Sequence, residues 1–122
     1  MKENVLIIED DPNILKAEQL ILQKNFTVHT AVDGDEGLKK AKLVKPRLVI
    51  LDVMIPKIDG FTVCRNIRLD ANLRNTKIIM VTAKNEDRDE AKGMELGADD
   101  YIMKPFEPEE LLHVVNQVLG IQ

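Results

Sequence analysis

Cysteine is nearly missing: Cys64 stands alone, which excludes an internal disulfide and fits a reducing cytosol. No apolar run approaches the ~18 to 20 residues of a membrane span. The run after Met1-Lys2-Glu3-Asn4 is also too short for a signal peptide. Excess positive charge is missing too. Lys and Arg number 17 against 21 Asp and Glu, a formal charge of −4, so no global field draws the chain onto nucleic acid or anionic lipid. Linkers and low-complexity tracts are absent, and no glycine-rich phosphate loop follows any apolar run, which disfavours a nucleotide site. The 122 residues suffice to close one core without staples. Together these absences predict one soluble, cytoplasmic domain with no direct contact to membrane or nucleic acid.

The chain is organised around Leu48-Val49-Ile50-Leu51-Asp52, an apolar run that reads as a strand buried on both faces and that stops on a carboxylate. Pro56, Asp59 and Gly60 then turn the chain. Val5-Leu6-Ile7-Ile8 is a second such strand, ending in Glu9-Asp10-Asp11. Asp11-Pro12 is a helix start, and Ile14, Leu15, Ala17, Ile21 and Leu22 carry a helix to about Lys24. Phe26 to Ala31 alternates as a strand nearer the sheet edge, and Gly34 to Val44 is a helix that Lys45-Pro46 breaks. Phe61, Val63, Cys64 and Ile67 give a third helix that dissolves between Asp70 and Thr76. Ile78 to Val81 is a strand ending in Thr82-Ala83. The pattern from Asn85 to Leu96 is the weakest helix, with Gly93 inside it at about 1 kcal/mol against Ala. Tyr101-Ile102-Met103 is a fifth strand closed by Lys104-Pro105-Phe106, and Glu107-Pro108-Glu109-Glu110 opens a last helix with acids at its positive end.

Strand and helix thus alternate five times. That pattern predicts a parallel sheet covered on both faces, with a site beyond the carboxyl ends of the strands. Those ends carry Glu9, Asp10 and Asp11; Asp52; Thr82; and Lys104. Carboxylates converging at a partly buried rim repel one another, and a hard divalent cation such as Mg²⁺ relieves the repulsion. A carboxylate beside Mg²⁺ is a competent nucleophile toward phosphorus, and an ammonium and a hydroxyl are the groups that stabilise a transferring phosphoryl. Taken singly, Asp52 could cap a turn, Thr82 could cap a helix, Lys104 could snorkel and Tyr101 could be a half-buried strand residue. Taken jointly, four strands would each have to deliver the right residue type to the same end by accident.

Ile-Glu-Asp-Asp at the first strand, Leu-Asp-Val-Met-Ile-Pro-Lys-Ile-Asp-Gly at the third, Thr-Ala at the fourth and Gly-Ala-Asp-Asp-Tyr-Ile-Met-Lys-Pro-Phe at the fifth carry a resemblance that spans the chain. The sequence resembles the receiver domain of two-component response regulators. That resemblance implies a flavodoxin-like (βα)5 sandwich with strand order 2-1-3-4-5 and one receiver domain over residues 1–122. It implies that Asp52 accepts a phosphoryl group, and that Asp10, Asp52 and the Met54 carbonyl hold Mg²⁺, with Glu9 acting through water. Thr82 and Lys104 would contact the phosphoryl oxygens, Tyr101 would swing inward, Lys104–Pro105 would be cis, and Met54 and Lys84 would set the phosphate lifetime. The implied partners are a sensor histidine kinase or phosphotransfer protein and an output protein or attached effector domain. The implied catalysis is confined to the domain's own phosphorylation and dephosphorylation.

Some features depart from the pattern. No Lys or Arg follows Lys104, and residues 113 to 116 are His-Val-Val-Asn where basic pairing residues are expected, so the chain is read as a monomer or a weak phosphorylation-dependent dimer. Acids outnumber bases from Glu86 to Glu110, and the balance reverses from Lys39 to Lys77. The acidic face, with Glu86, Asp87, Glu90 and an exposed Val114, is a candidate output surface against a plainer reading as solvated mixed charge. Two other classes stay open: an aspartyl-phosphate phosphohydrolase, disfavoured because Met54 stands where an acid is needed, and an adaptor that keeps the site unused. His29 and His113 lie off the strand ends and are read as neither metal ligands nor phosphohistidines.

Overall fold

Along the chain run β1 (Glu3–Ile8), α1 (Pro12–Leu22), β2 (Phe26–Ala31), α2 (Gly34–Val44), β3 (Leu48–Asp52), α3 (Gly60–Leu69), β4 (Lys77–Ala83), α4 (Asp87–Glu95), β5 (Asp100–Lys104) and α5 (Pro108–Leu119). The computed structural model describes residues 2–83 and 87–121, apart from the side chains at 87–89. The strands form one parallel sheet in the order β2-β1-β3-β4-β5. The flavodoxin-like order expected from the sequence is therefore the one observed.

Alternation along each central strand divides the core into two layers, because successive side chains point to opposite faces. Leu6, Ile8, Val49, Leu51, Ile78 and Met80 meet Val63, Cys64 and Ile67 of α3 and Leu38 and Ala41 of α2. Val5, Ile7, Leu48, Ile50, Ile79, Val81 and Ile102 meet Leu22 of α1 and Leu111, Val115 and Leu119 of α5. Burial on both faces explains why these strands read as unbroken apolar runs.

Local chemistry fixes the ends of the elements. Asp11 accepts from the amides of Asn13 and Ile14 with Pro12 in the first turn of α1. Asp33 caps α2 through Glu36 N at 2.8 Å, and Asp59 caps α3 through Thr62 N at 3.0 Å. Each such cap contributes about 1 kcal/mol. Helix α1 stops at Leu22, two residues before the expected Lys24, with Gln23 closing it by donating to Gln19 O. Helix α4 covers Asp87–Glu95 of the expected Asn85 to Leu96, and residues 85 and 86 lie outside the described residues. Its glycine has a packing reason: a Cβ on Gly93 would stand 3.2 Å from Met80 Cγ, so α4 lies close on β4. Val114, read from the sequence as an exposed contact, is half-buried and packs on the α1/α5 layer. The α5 stripe is wider than the sequence reading allowed. No helix among the described residues is long and apolar enough to cross a membrane.

Candidate functional site

All five strands point the same way, so their carboxyl ends share one edge. The chain leaves β1 for β2 on one side and returns to β3 on the other, which makes the β1/β3 boundary the point where strand order reverses. Ligands of open parallel sheets bind in the crevice at such a point. Register brings the ends level: Ile8 pairs with Ala31 and Leu51, Asp52 with Val81, and Ala83 with Lys104. The loop after β3 is tied down by its own backbone. Val53 N donates to Val81 O, and Gly60 N donates to Val53 O at 3.0 Å. A Cβ on Gly60 would come within 2.4 Å of Asp52 O, so only glycine fits against the backbone of the acidic residue.

At that edge Asp52 is buried and accepts on both oxygens. Met54 N donates to Oδ1 at 2.9 Å, and Lys104 Nζ donates to Oδ2 at 2.5 Å. The same ammonium lies 3.0 Å from Glu9 Oε1 but off the line of a hydrogen bond, and Asp11 N holds Glu9 Oε2 at 3.1 Å. Asp10 is exposed beside them, and Glu9, Asp10 and Asp52 each bring a carboxylate oxygen within 4.8 Å of the others. Thr82 is 2% exposed, and its Oγ1 has no hydrogen-bond partner. Burial pushes the Glu9 carboxyl up to about 7, helped by the charge of Asp52 and opposed by the Asp11 amide and Lys104. Burial works against the Lys104 ammonium, yet the carboxylates of Asp52 and Glu9 outweigh it and hold its pKa above the ordinary value. Three acids against one lysine, whose ammonium is shared between Glu9 and Asp52, is a donor set short of positive charge that suits a hard, oxygen-seeking cation. The residues therefore fit Mg²⁺.

A family model described as the response regulator receiver domain matches residues 5–116. The chain belongs to that family. The alkaline phosphatase synthesis transcriptional regulatory protein PhoP of Bacillus subtilis is 43% identical over 98% of this chain and 49% of its own length. The chain spans about half the length of the curated relatives it matches. Among solved structures, chemotaxis response regulator CheY4 of Vibrio cholerae superposes with a TM-score of 0.91 at 31% identity, over 97% of this chain and 99% of that one. The receiver domain of sensor histidine kinase PA1611 from Pseudomonas aeruginosa, described with a magnesium ion coordinated in its active-site cleft, superposes at 0.89 with 26% identity, over 98% and 99% of the two chains. The family is a signalling one rather than a family of enzymes with substrates to turn over.

In this receiver the strand-end residues singled out by sequence are neighbours. Glu9, Asp10, Asp52 and Lys104 form one cluster, and the Met54 amide joins it while the Met54 side chain is exposed. Thr82 stands one residue before the end of β4, between Asp52 and Lys104 in strand order, and the Lys104–Pro105 bond is cis. Tyr101 sits on β5, half-buried, packed on the layer beneath α2, α3 and α4. Lys84 and Glu86 lie outside the described residues, as do the side chains of Asp87 to Asp89, so the expected acidic output surface is described only from Glu90 onward. Much of the basic stretch is paired within the chain, largely at its surface. Lys39 and Lys40 pair with Asp35 and Glu36, Arg47 with Glu3, Lys57 with Asp33, and Arg68 with Asp99. His29 faces Asn4 on β1, and His113 is exposed on α5; both are away from the edge.

One residue near the site escaped the sequence reading. Glu18 on α1 is 1% exposed, and neither carboxylate oxygen has a hydrogen-bond partner. Burial pushes its carboxyl up to about 8, with the charges of Glu9 and Asp52 adding and Lys104 opposing. The available signal was an acid inside the apolar stripe Leu15, Leu22 at helical spacing.

Proposed function

We propose that this receiver accepts a phosphoryl group on Asp52 and is switched by the charge it gains. The observation that carries the reading is a buried Asp52 carboxylate held between the Lys104 ammonium and the Met54 amide, where Glu9 and Asp10 converge. Asp10, Asp52 and the Met54 carbonyl would hold Mg²⁺, with Glu9 acting through water; the ion supplies the positive charge that lets an anionic donor approach three carboxylates. An Asp52 oxygen attacks phosphorus opposite the P–N bond of a phosphohistidine. The bonding pair leaves with the imidazole, which takes up a proton, and an acyl phosphate remains on Asp52. Lys104 follows the negative charge onto the phosphoryl oxygens, and the unpartnered Thr82 hydroxyl donates to them. Attack by water later returns the carboxylate and inorganic phosphate, at a pace set partly by the side chains at Met54 and Lys84.

The donor is a sensor histidine kinase or phosphotransfer protein, and a small acyl phosphate offers the same leaving chemistry. Thr82 moving toward the phosphoryl group draws Tyr101 inward, a population shift read out across α4, β5 and α5. PhoP is named as a transcriptional regulator, and this receiver, residues 1–122, would govern an attached effector domain or a separate output protein in the cytoplasm. It would not touch nucleic acid itself, and it would act as a monomer or as a weak dimer promoted by phosphorylation. The test is intact mass after incubation with Mg²⁺ and a small acyl phosphate. One phosphoryl group on the wild type, absent from Asp52→Ala and blocked by a chelator, is expected. An adduct that survives Asp52→Ala, or none in the wild type, overturns the assignment.

A further inference from the structure

Glu18 occupies a place that its chemistry does not explain. It shares one stripe of α1 with Leu15 and Leu22, three residues after one and four before the other, and Leu22 is fully buried in the α1/α5 layer. Both of its oxygens are without partners. Strand alternation shows what lies on the same side of the sheet. Val5 and Ile7, Leu48 and Ile50, and Ile102 face this layer. The same parity carried two residues further reaches Glu9, Asp52 and Lys104. An open cavity of about 480 Å³, lined by Ile14 and Ala17 of α1 together with Lys104 and Phe106, runs between that helix and the site.

The geometry points to Glu18 as a positioning residue for the receiver's cation site: its buried carboxyl gives up its proton when a divalent cation settles on Glu9, Asp10 and Asp52, so α1 ties cation affinity to pH. The inference rests on the metal-dependent reading of that site. While the site holds no cation, the charges of Glu9 and Asp52 both act against ionisation of Glu18, and Lys104 is committed to those two acids. A dication cancels their repulsion, the Glu18 O–H bond breaks, and the proton passes to solvent. Linkage is reciprocal: an ionised Glu18 draws the cation by the same factor that the cation favours ionisation. Among the described residues, no other charged group of the elements packed on α1 competes. Helix α5 turns Leu111, Val115 and Leu119 inward and leaves His113, Glu109 and Glu110 exposed, while β2 offers Phe26 and Val28 and turns His29 to Asn4.

Two measurements on the intact chain test this. Carbon-detected NMR titration of the wild-type carboxyls needs no variant: the Glu18 midpoint should lie above neutrality without cation and fall by about 0.7 pH units or more in saturating Mg²⁺. That shift corresponds to a factor of about five, the low end of ordinary site-to-site linkage. Mg²⁺ titrations followed by the amides of Asp10, Asp52 and Met54 should show affinity rising about fivefold from pH 7 to 9 in the wild type. Glu18→Gln, or Glu18→Leu should the amide fail to fold, should show a markedly shallower rise over the same range. A Glu18 midpoint that Mg²⁺ leaves in place, with parallel wild-type and variant affinity curves, overturns the role of Glu18 and leaves the metal site standing. No Mg²⁺ binding to any form at any pH overturns the metal reading and this inference with it.

Discussion

Replacing Glu18 by leucine should stabilise the receiver at neutral pH and remove much of the pH dependence of its stability. In the folded chain burial, reinforced by Glu9 and Asp52, raises the Glu18 carboxyl from 4.5 to about 8, whereas in the unfolded chain it titrates near 4.5. Between those values the folded state holds a proton that the unfolded state has lost, so stability falls as pH rises. The contribution is full below about pH 4.5 and gone above about pH 8. Each unit of displacement is worth ~1.4 kcal/mol, so the full loss is roughly 5 kcal/mol, most of it already spent at pH 7. Against a total stability of about 5–15 kcal/mol for a domain, that is a large fraction.

Leucine also adds buried apolar surface, worth about 1–3 kcal/mol at every pH, so the diagnostic is the slope and not the offset. Urea unfolding at pH 5, 6, 7, 8 and 9 reads it. The wild type and Glu18→Leu should draw apart by roughly 4 kcal/mol from pH 5 to 9, a separation of about 2 M in urea midpoint at an ordinary m-value. Glu9 and Cys64, both raised by burial, are present in the two proteins and leave the difference unchanged to first order. A difference that stays flat within about 0.5 kcal/mol, well below the effect sought, would refute the reasoning. Glu18 would then find a partner or water that the packed structure does not provide.

Removing Lys104 leaves Asp52 and Glu9 as buried acids without their ammonium. Lys104→Met should cost about 1–3 kcal/mol, after discounting a lysine that is partly exposed, and thermal unfolding should show added Mg²⁺ stabilising the variant more than the wild type. Two glycines of α2 should respond differently to alanine. At Gly34 a Cβ falls 2.0 Å from the backbone oxygen of Ile58, while at Gly37 it meets the flexible Cδ1 of Ile8 at 2.5 Å. Gly34→Ala should therefore cost several kcal/mol and Gly37→Ala about 1–3 kcal/mol; the reverse order in urea midpoints would overturn the argument. Arg68 donates to Gly97 O, Thr76 O and Asp99 Oδ2 at 2.7, 2.6 and 2.6 Å, clamping the turn after α4. Arg68→Ala should cost about 2–4 kcal/mol and speed amide exchange at Leu96 and Gly97 before the central strands loosen.

What the sequence disclosed, and what it hid, follows from how each element reports its environment. A strand buried on both faces shows itself as an apolar run, and its end is wherever the run meets a charge. Asp52, Glu9 and Lys104 are therefore legible in the amino-acid order alone, because the strand period is two and parallel strands of similar length end together. Helix α4 was weak in sequence because Gly93 stands where apolar bulk is expected, and the reason, Met80 a few ångströms away on β4, is tertiary. Val114 was misplaced because the width of a helix's buried face depends on how deeply it settles on the sheet, which the 3.6-residue period leaves open. Glu18 is the same problem with a charge in it. On α1 an acid between Leu15 and Leu22 reads as a snorkelling edge residue, unless the helix lies so close to the sheet that its carboxyl is covered. The residues most exposed to misreading are thus those a helix lends to a site built on strands. Asp52 declares its role from its own strand, while whatever Glu18 does to it passes through packing that only the folded chain displays.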